Sequence, residues 1–220
     1  MSVDKEKYLI LQKELSNHGV SLIAVSKTKP VEDILELYEL GHRDFGENYV
    51  QELVEKQSVL PKDIRWHFIG HLQSNKVKYI APFVELIHGI DSFKLLKEVN
   101  KNGLKFGRTI NVLLQAHIAT EETKFGLDAS ELDQIIQSAT VFKNVSINGL
   151  MGMASFTEDN AQVKREFQQL KQLFDKFKPQ IPTFTILSMG MSGDFNIAIG
   201  EGSNMVRIGS LLFGERNSKG

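Results

Sequence analysis

Residues 22–30 read LIAVSKTKP, an apolar run followed by a polar turn and a proline. The run 22–26 is apolar enough to be a buried parallel strand, and Pro30 suits the first turn of a helix. Apolar residues then recur at helical spacing, at Ile34, Leu35, Leu37, Tyr38 and Leu40. The stretch therefore predicts a strand, a turn and a helix, the unit of a parallel α/β fold.

The same unit recurs along the chain. Short β-rich apolar runs lie at eight places: 22–27, 44–48, 65–70, 85–90, 110–117, 147–153, 183–189 and 205–210. Most neighbouring runs start about 20–25 residues apart, which leaves room for a strand, a loop and a helix. A helix at about 3–17 precedes the first run, and the longest helix is predicted from Thr157, its N-cap, to Lys178. Eight such units predict an α/β fold, a single (β/α)8 TIM barrel over residues 1–220 with an extra N-terminal helix.

A doubly wound parallel sheet is the alternative to the barrel. That fold commonly carries Gly-x-Gly-x-x-Gly after its first strand, whereas this chain has SKTKP at 26–30. A Walker-type phosphate loop is also missing from the sequence, which argues against nucleotide hydrolysis.

The composition is that of an ordinary globular protein. Of 220 residues, 41% are hydrophobic, and 26 basic residues against 27 acidic ones give a net charge of −1. No overall field attracts nucleic acid or an anionic membrane, so neither is expected as a partner. The absence of cysteine excludes disulfides, thiolate nucleophiles and cysteine-containing zinc sites. The charged N-terminus contains no apolar signal segment, and a cytoplasmic location is expected.

Lys27 is the first candidate for chemistry. Ligand sites of barrels lie at the carboxyl ends of the strands, and strand alternation places Ile23, Val25 and Lys27 on one face. Burial disfavours the ammonium form of a lysine and leaves the free amine that forms a Schiff base with a carbonyl. The alternative is an exposed lysine at a strand end. Lys29, directly before Pro30, is a weaker candidate.

Two loops suit the binding of a phosphate group. The loops after strands seven and eight of a barrel commonly bind phosphate, and here they contain SMGMSG at 188–193 and GS at 209–210. Small residues let backbone N–H groups approach an anion, although the same residues also form simple turns.

Arg207 and the histidines need separate interpretations. Arg207 lies within the eighth run, where its charge suits a ring nitrogen or an oxyanion, or a structural ion pair with a carboxylate. His67 and His71 are four residues apart, but 66–70 is predicted as a strand, so they would not share a helix face. No metal site is expected.

Seven segments resemble the YggS/PROSC family of pyridoxal 5′-phosphate (PLP) homeostasis proteins. They are LIAVSKTKP (22–30), FGENYVQE (45–52), WHFIGHLQSNK (66–76), HGIDS (88–92), EETKFGL (121–127), GLMGM (149–153) and LSMGMSGDFNIAIGEGSNMVRIGSLLFGER (187–216). The resemblance implies a barrel of the alanine racemase N-terminal domain type that holds PLP as an internal aldimine.

The resemblance also implies roles for individual residues. Lys27 is then the Schiff-base lysine, Asn48 lines the cofactor, and Arg207 is the partner of its ring nitrogen. The implied phosphate ligands are Ser188, Gly209 and Ser210. His71 and Lys124 stand in matching segments; His71 is counted with the cofactor-binding residues, and neither is given a role.

The function expected from this family is intracellular PLP homeostasis. The protein would hold PLP and deliver it to apo-forms of PLP-dependent enzymes, affecting amino-acid and keto-acid balance, with no catalytic residues of its own. One alternative is a single-domain amino-acid racemase with weak activity, and another is a class I aldolase that uses Lys27 on a sugar phosphate. The racemases take a second base from a further domain, and this chain ends at Gly220 soon after its eighth strand. The same observation leads us to expect a monomer.

Overall fold

Eight parallel strands close into a barrel. In a computed structural model, which describes residues 3–120 and 125–214, each strand pairs with the next and β8 pairs with β1. The strands are β1 (Ser21–Val25), β2 (Asp44–Glu47), β3 (Arg65–Phe68), β4 (Leu86–Ile90), β5 (Ile110–Gln115), β6 (Val145–Met151), β7 (Ile186–Ser188) and β8 (Met205–Ile208). The predicted α/β barrel is confirmed. A doubly wound sheet is excluded, because it would leave two open edges.

A helix precedes β1, as predicted, and helices follow every strand. They are α1 (Lys5–Asn17), α2 (Val31–Glu39), α3 (Val50–Val59), α4 (Val77–Ile80), α5 (Phe93–Lys105), α6 (Ala129–Gln137), α7 (Asn160–Phe177), α8 (Phe195–Gly200) and α9 (Ser210–Phe213). Single 3-10 turns occur at Ser74–Lys76, Ala139–Val141 and Lys178–Gln180. Over the described ranges, no helix has the length and apolar character needed to cross a membrane.

The N-cap of α7 differs from the prediction. Thr157 was expected there, but the helix begins at Asn160 and its cap is Asp159. The Asp159 carboxylate accepts hydrogen bonds from the backbone N–H groups of Ala161 and Gln162, so it satisfies two helix donors at once. The Thr157 hydroxyl accepts only from the N–H of Asp159 and supports the turn before the helix.

The apolar core has two parts. The larger part lies between the barrel and the helices and includes the apolar stripe of α7, namely Val163, Phe167, Leu170, Phe174 and Phe177. A smaller cluster contains inward-facing strand residues, namely Ile23, Leu86, Leu113, Met151 and Met205. His88 lies two residues after Leu86, and Arg207 two residues after Met205. Each therefore points to the same side of its strand as that apolar residue, into the barrel. The barrel interior therefore changes from apolar to polar towards the carboxyl ends of β4 and β8.

Gly149 is required where β6 meets β7. Its φ is +154°, and a Cβ at this position would overlap the carbonyl oxygen of Ile186 in the neighbouring strand. We expect Gly149→Ala to lower the free energy of unfolding by about 3 kcal/mol, because backbone strain and overpacking add. Urea unfolding followed by circular dichroism measures the change.

Gly107→Ala is the matched control for this prediction. Gly107 also has a positive φ, +62°, but nothing lies within 4 Å of the position of its Cβ. The Gly107→Ala substitution adds backbone strain alone, so we expect it to lower the free energy of unfolding by about 1 kcal/mol. Equal losses in the two variants would show that the contact with Ile186 is relieved without cost.

Candidate functional site

A cavity of about 460 Å3 opens at the carboxyl ends of the strands. Five of the residues that the family resemblance places at the cofactor line it: Lys27, Asn48, Arg207, Gly209 and Ser210. The rest of its described lining is Val25, Lys29, Ile69, Met153, Phe156, Met191, Ser192, Gly193 and Gly214. A lysine, an arginine and two glycine-containing loops thus meet in one concave site, at the end of the barrel where ligands bind.

The turn after β1 carries Lys27. The strand was predicted to reach residue 27 but ends at Val25, because the chain turns at the next residues and Thr28 adopts a φ of +62°. This backbone conformation is uncommon for a residue other than glycine. The N–H of Thr28 donates to Glu52 Oε1 at 2.6 Å, which holds the turn in place. Lys27 is half-buried and lines the cavity together with Val25.

A buried ionic network lies against this turn. Lys56 Nζ donates to the carbonyl oxygen of Ser26 at 2.8 Å, to Glu47 Oε1 at 2.8 Å and to Glu52 Oε1 at 2.6 Å. The hydroxyl of Ser26 donates to the same Glu47 oxygen at 2.6 Å. The side chains of Lys56 and Glu47 are only 7% and 0% exposed. The network therefore ties α3 and β2 to the residues on either side of Lys27.

Glu47 is the electrostatically costly member of this network. Burial raises the pKa of its carboxyl, and the neighbouring Lys56 ammonium opposes that rise. The interpretation of the sequence did not identify Lys56, since a lysine on a helix is usually solvent-exposed. One available signal was its position three residues after the buried Leu53, on the same face of α3.

Lys29, the weaker lysine candidate, contacts the end of the described chain. Its Nζ donates to the carbonyl oxygen of Phe213 at 2.7 Å and lies 3.4 Å from that of Gly214. Its amine is therefore engaged by backbone oxygens beside α9, although the residue also lines the cavity.

Arg207 is buried and bonded to neutral oxygens. Its Nη1 donates to the hydroxyl of Ser188 at 2.7 Å and to the carbonyl of Ser188 at 3.1 Å, and its Nη2 donates to the carbonyl of Gly152 at 3.2 Å. Burial lowers the pKa of Arg207 to about 10, although the charge of Asp194 opposes this. These bonds are not the carboxylate ion pair that the sequence left open. A buried cation held in this way at a cavity wall is typical of a ligand site.

The loops after β7 and β8 meet at the cavity. The hydroxyl of Ser192 accepts a hydrogen bond from the N–H of Gly209 at 3.3 Å, which joins them. A Cβ at Gly209 would lie 3.2 Å from the carbonyl oxygen of Val25, so glycine lets this loop pass close to β1. The small residues at the junction leave backbone accessible to an anion. Ser192 and Gly193 belong to the loop identified from the sequence but were not singled out there.

Asn48 brings an unsatisfied acceptor to the cavity wall. Its Oδ1 is buried and has no hydrogen-bond partner among the residues that the structure describes. A buried acceptor without a donor carries a free-energy cost.

The other residues singled out from the sequence lie elsewhere. His71 lines a neighbouring cavity of about 440 Å3 that shares Asn48 with the first. Its ring stacks on Phe125 with centroids 4.5 Å apart, and its Nδ1 lies 2.8 Å from Asp91 Oδ2. Ser188 is completely buried against Arg207, and Lys124 lies outside the described residues. Within 3–120 and 125–214, no three His, Asp or Glu side chains are grouped as a metal site.

Known sequences similar to this chain match it over nearly its full length. Residues 5–217 match the family model described as the N-terminal domain of alanine racemase. The pyridoxal phosphate homeostasis protein of Pasteurella multocida is 39% identical over 216 residues, which cover 96% of this chain and 93% of that protein.

Solved structures agree with these matches. The structure of PipY from Synechococcus elongatus with PLP bound superimposes with a TM-score of 0.86 at 35% identity, covering 95% of this chain and 99% of PipY. Alanine racemase from Bartonella henselae superimposes with a TM-score of 0.73 at 19% identity, covering 99% of this chain and 62% of that one. The second likeness is one of fold alone.

Proposed function

The chain belongs to the pyridoxal phosphate homeostasis protein family, and from that membership we propose that Lys27 attaches PLP covalently in the cavity at the carboxyl ends of the strands. The protein binds PLP and acts in PLP homeostasis, as the family does. One observation carries the assignment of the site: Lys27, Asn48, Arg207 and the loop at Gly209 and Ser210 line a single cavity.

The residues of this cavity fit the groups of PLP. Lys27 offers an amine for the aldehyde, and the guanidinium of Arg207 offers donors for the ring nitrogen. Asn48 lines the same cavity, and its side-chain amide offers hydrogen-bonding groups to the ring hydroxyl. The phosphate group would be held by the small residues of the two joined loops, Met191, Ser192, Gly193, Gly209 and Ser210.

Two residues counted with the site are given revised roles in this proposal. Ser188 was expected to bind phosphate, but its hydroxyl accepts from Arg207, so we assign it to holding that arginine. His71 lines the neighbouring cavity, and we assign it no contact with the cofactor.

In this proposal, Arg207 determines the protonation state of the cofactor's ring nitrogen. When bound, PLP supplies an aldehyde carbon that an amine can attack and a ring that withdraws electrons. With a pKa of about 10, Arg207 is a cation at neutral pH and can only donate. A ring nitrogen facing it must accept and stay unprotonated, which weakens the electron withdrawal that most PLP enzymes need.

Storage and delivery of PLP to apo-enzymes, rather than catalysis, fits this site best. The titratable side chains in the described lining of the cavity are Lys27, Lys29 and Arg207. Racemisation also needs a base on the opposite face of the substrate. Tyr49, which follows β2 closely, lines the neighbouring cavity instead. The aldolase alternative has no support in the family to which the chain belongs.

A transfer assay tests this proposal. Protein loaded with PLP is mixed with the apo-form of a PLP-dependent enzyme, and recovery of that enzyme's activity is followed. In parallel, conversion of L-alanine and L-serine to the D-forms is measured. We expect recovery of the apo-enzyme without steady racemisation. Steady turnover that disappears in Lys27→Ala would establish the racemase instead.

The monomeric state and the cytoplasmic location expected from the sequence stay predictions. Sedimentation equilibrium of the cofactor-loaded protein tests the first, and a dimer mass would contradict it.

Arg207→Met is expected to weaken PLP binding with little effect on the stability of the cofactor-free protein. The fall in pKa from 12.5 to about 10 corresponds to a burial cost of roughly 3 kcal/mol. The substitution removes that cost together with three hydrogen bonds, which contribute about 1 kcal/mol each. The free energy of unfolding, measured with urea, should therefore change by about 1 kcal/mol or less. The Kd for PLP should rise about tenfold or more.

Arg165→Met on the exposed surface of α7 is the control. It should alter neither the Kd nor the free energy of unfolding by a measurable amount. An unchanged Kd in Arg207→Met would remove Arg207 from the binding site.

A further inference from the structure

A chain of hydrogen bonds leads from the cofactor cavity into the barrel. Arg207 Nη1 is 2.7 Å from Ser188 Oγ, and Ser188 Oγ is 3.5 Å from His88 Nδ1. His88 Nε2 is 3.0 Å from His67 Nδ1, and His67 Nε2 is 3.2 Å from Asp44 Oδ1. Five side chains from five strands are thus linked in series.

The chain crosses the barrel from one end to the other. Arg207 lines the cavity at the carboxyl ends of the strands. Asp44 is the first residue of β2 and pairs with Arg65, the first residue of β3, so it lies at the amino ends. Ser188 and His88 are completely buried, while the side chain of Asp44 is 25% exposed. Of the five members, Asp44 therefore reaches furthest into solvent.

If both imidazole rings are neutral, only one placement of protons satisfies every link. Arginine can only donate, so Ser188 Oγ accepts from Arg207 and has its own proton for His88 Nδ1. His88 then carries its proton on Nε2 and donates to His67 Nδ1. His67 in turn carries its proton on Nε2 and donates to Asp44, because a carboxylate can only accept. With both rings neutral, the two histidines have the same tautomer.

The electrostatics agree with a neutral His88 and an anionic Asp44. Burial, and after it the neighbouring His67 and Arg207, hold the pKa of His88 well below its ordinary value, which favours a neutral His88 ring. Burial acts to raise the pKa of Asp44, but hydrogen bonds from His67 and Arg65 outweigh it and lower the pKa. The chain thus has a cation at the cavity and an anion at the opposite end.

We propose that His88 is a positioning residue for the PLP site, which acts on Arg207 through Ser188, and that His67 and Asp44 fix its tautomer. This inference rests on the proposed function, since it concerns the arginine that would face the cofactor ring. With its proton directed to His88, the Ser188 hydroxyl presents a lone pair to Arg207. That contact holds the guanidinium in one orientation.

Nitrogen-15 NMR of the histidine rings in cofactor-free protein tests the chain itself. At neutral pH we expect the His88 ring of the wild-type protein to be neutral and protonated at Nε2. Asp44→Ala removes the final acceptor and should change the tautomer populations of His67 and also of His88, which Asp44 does not touch. Asp44→Asn keeps an oxygen that accepts from His67 and should preserve the wild-type pattern.

Arg65→Met is the matched control for the variants of Asp44. It removes the ion-pair partner of Asp44 at the same end of the barrel and leaves all four links. We expect unchanged histidine tautomers. A cationic His88, a proton on its Nδ1, or an Asp44→Ala variant with an unaltered His88 signal would overturn the proposal.

Titration with PLP tests the effect on the site. His88→Leu should raise the Kd for PLP about tenfold, as expected for one buried hydrogen bond, and shift the visible absorption maximum of the bound cofactor. His88→Gln keeps a donor and an acceptor and should recover part of both effects. Where His88→Leu does not fold, Asp44→Ala gives the same measurement from a residue remote from the cavity.

The two failures can be told apart. A wild-type protein that takes up no PLP would overturn the proposed function and leave the NMR result standing. A wild-type protein that binds PLP, with His88→Leu or Asp44→Ala binding it equally and with the same absorption maximum, would overturn the positioning role.

Discussion

Lys27→Ala is expected to lose all visible absorbance that arises from covalently bound PLP. The amine of Lys27 is the proposed attachment point, and alanine offers no nucleophile in its place. Arg207 and the two joined loops stay in the variant, so PLP should still bind weakly and without a covalent bond. The effect on attachment is thus all or none, whereas the effect on affinity is partial.

Borohydride reduction followed by peptide mapping locates the attachment. Reduction makes the bond permanent, and in the wild-type protein the label should lie on Lys27. Lys29→Ala is the matched control, because Lys29 lines the same cavity but its amine donates to backbone carbonyls. It should keep both the absorbance and the label. A label on Lys29, or an adduct that survives in Lys27→Ala, would contradict the assignment.

The repeat of strands and helices was readable from the sequence, but the ends of the elements were not. The seventh strand was predicted over 183–189, and regular pairing covers only Ile186–Ser188. The preceding residues contact β6 in another way: the hydroxyl of Thr183 donates to the carbonyl of Ile147, and the N–H of Thr185 donates to the carbonyl of Asn148. Apolar β-rich composition cannot distinguish such contacts from a regular ladder.

The site was partly predictable for a similar reason. Residues at strand ends, such as Lys27 and Gly209, are brought together by any closed barrel, so their positions follow from the fold. The contact between His67 and His88 also depends on register, since β3 and β4 pair His67 with Leu86. Neither strand alone contains that information. The prediction that His67 lies on a strand and shares no helix face with His71 did not reveal the chain to Asp44.

Lys56→Met is expected to lower the free energy of unfolding by about 3–5 kcal/mol, the cost of removing one partner from a buried ion pair. The substitution leaves the Glu47 carboxylate fully buried without its cation. Glu47 Oε2 already lacks a hydrogen-bond partner among the described residues, so little remains to stabilise the charge. Lys13→Met, at an exposed position on α1, should change stability by no more than about 0.5 kcal/mol.

The dependence on pH identifies the mechanism of this loss. Burial already raises the pKa of Glu47 in the folded protein, and removing Lys56 takes away the charge that opposes the rise. A carboxyl whose folded-state pKa lies above its unfolded value stabilises the fold below the unfolded pKa, and this contribution disappears as the pH rises through the folded pKa. Urea unfolding of Lys56→Met should therefore show a smaller loss in mild acid than in mild alkali.

A second substitution and a kinetic measurement complete the test of Lys56. Glu47→Gln added to Lys56→Met removes the uncompensated charge and should recover part of the lost stability. Because Lys56 also holds the carbonyl oxygen of Ser26, its loss should loosen the turn and slow the attachment of PLP to Lys27 even at saturating cofactor. A Lys56→Met variant as stable as the wild-type protein in mild alkali, with an unchanged attachment rate, would show that the network does not hold the turn.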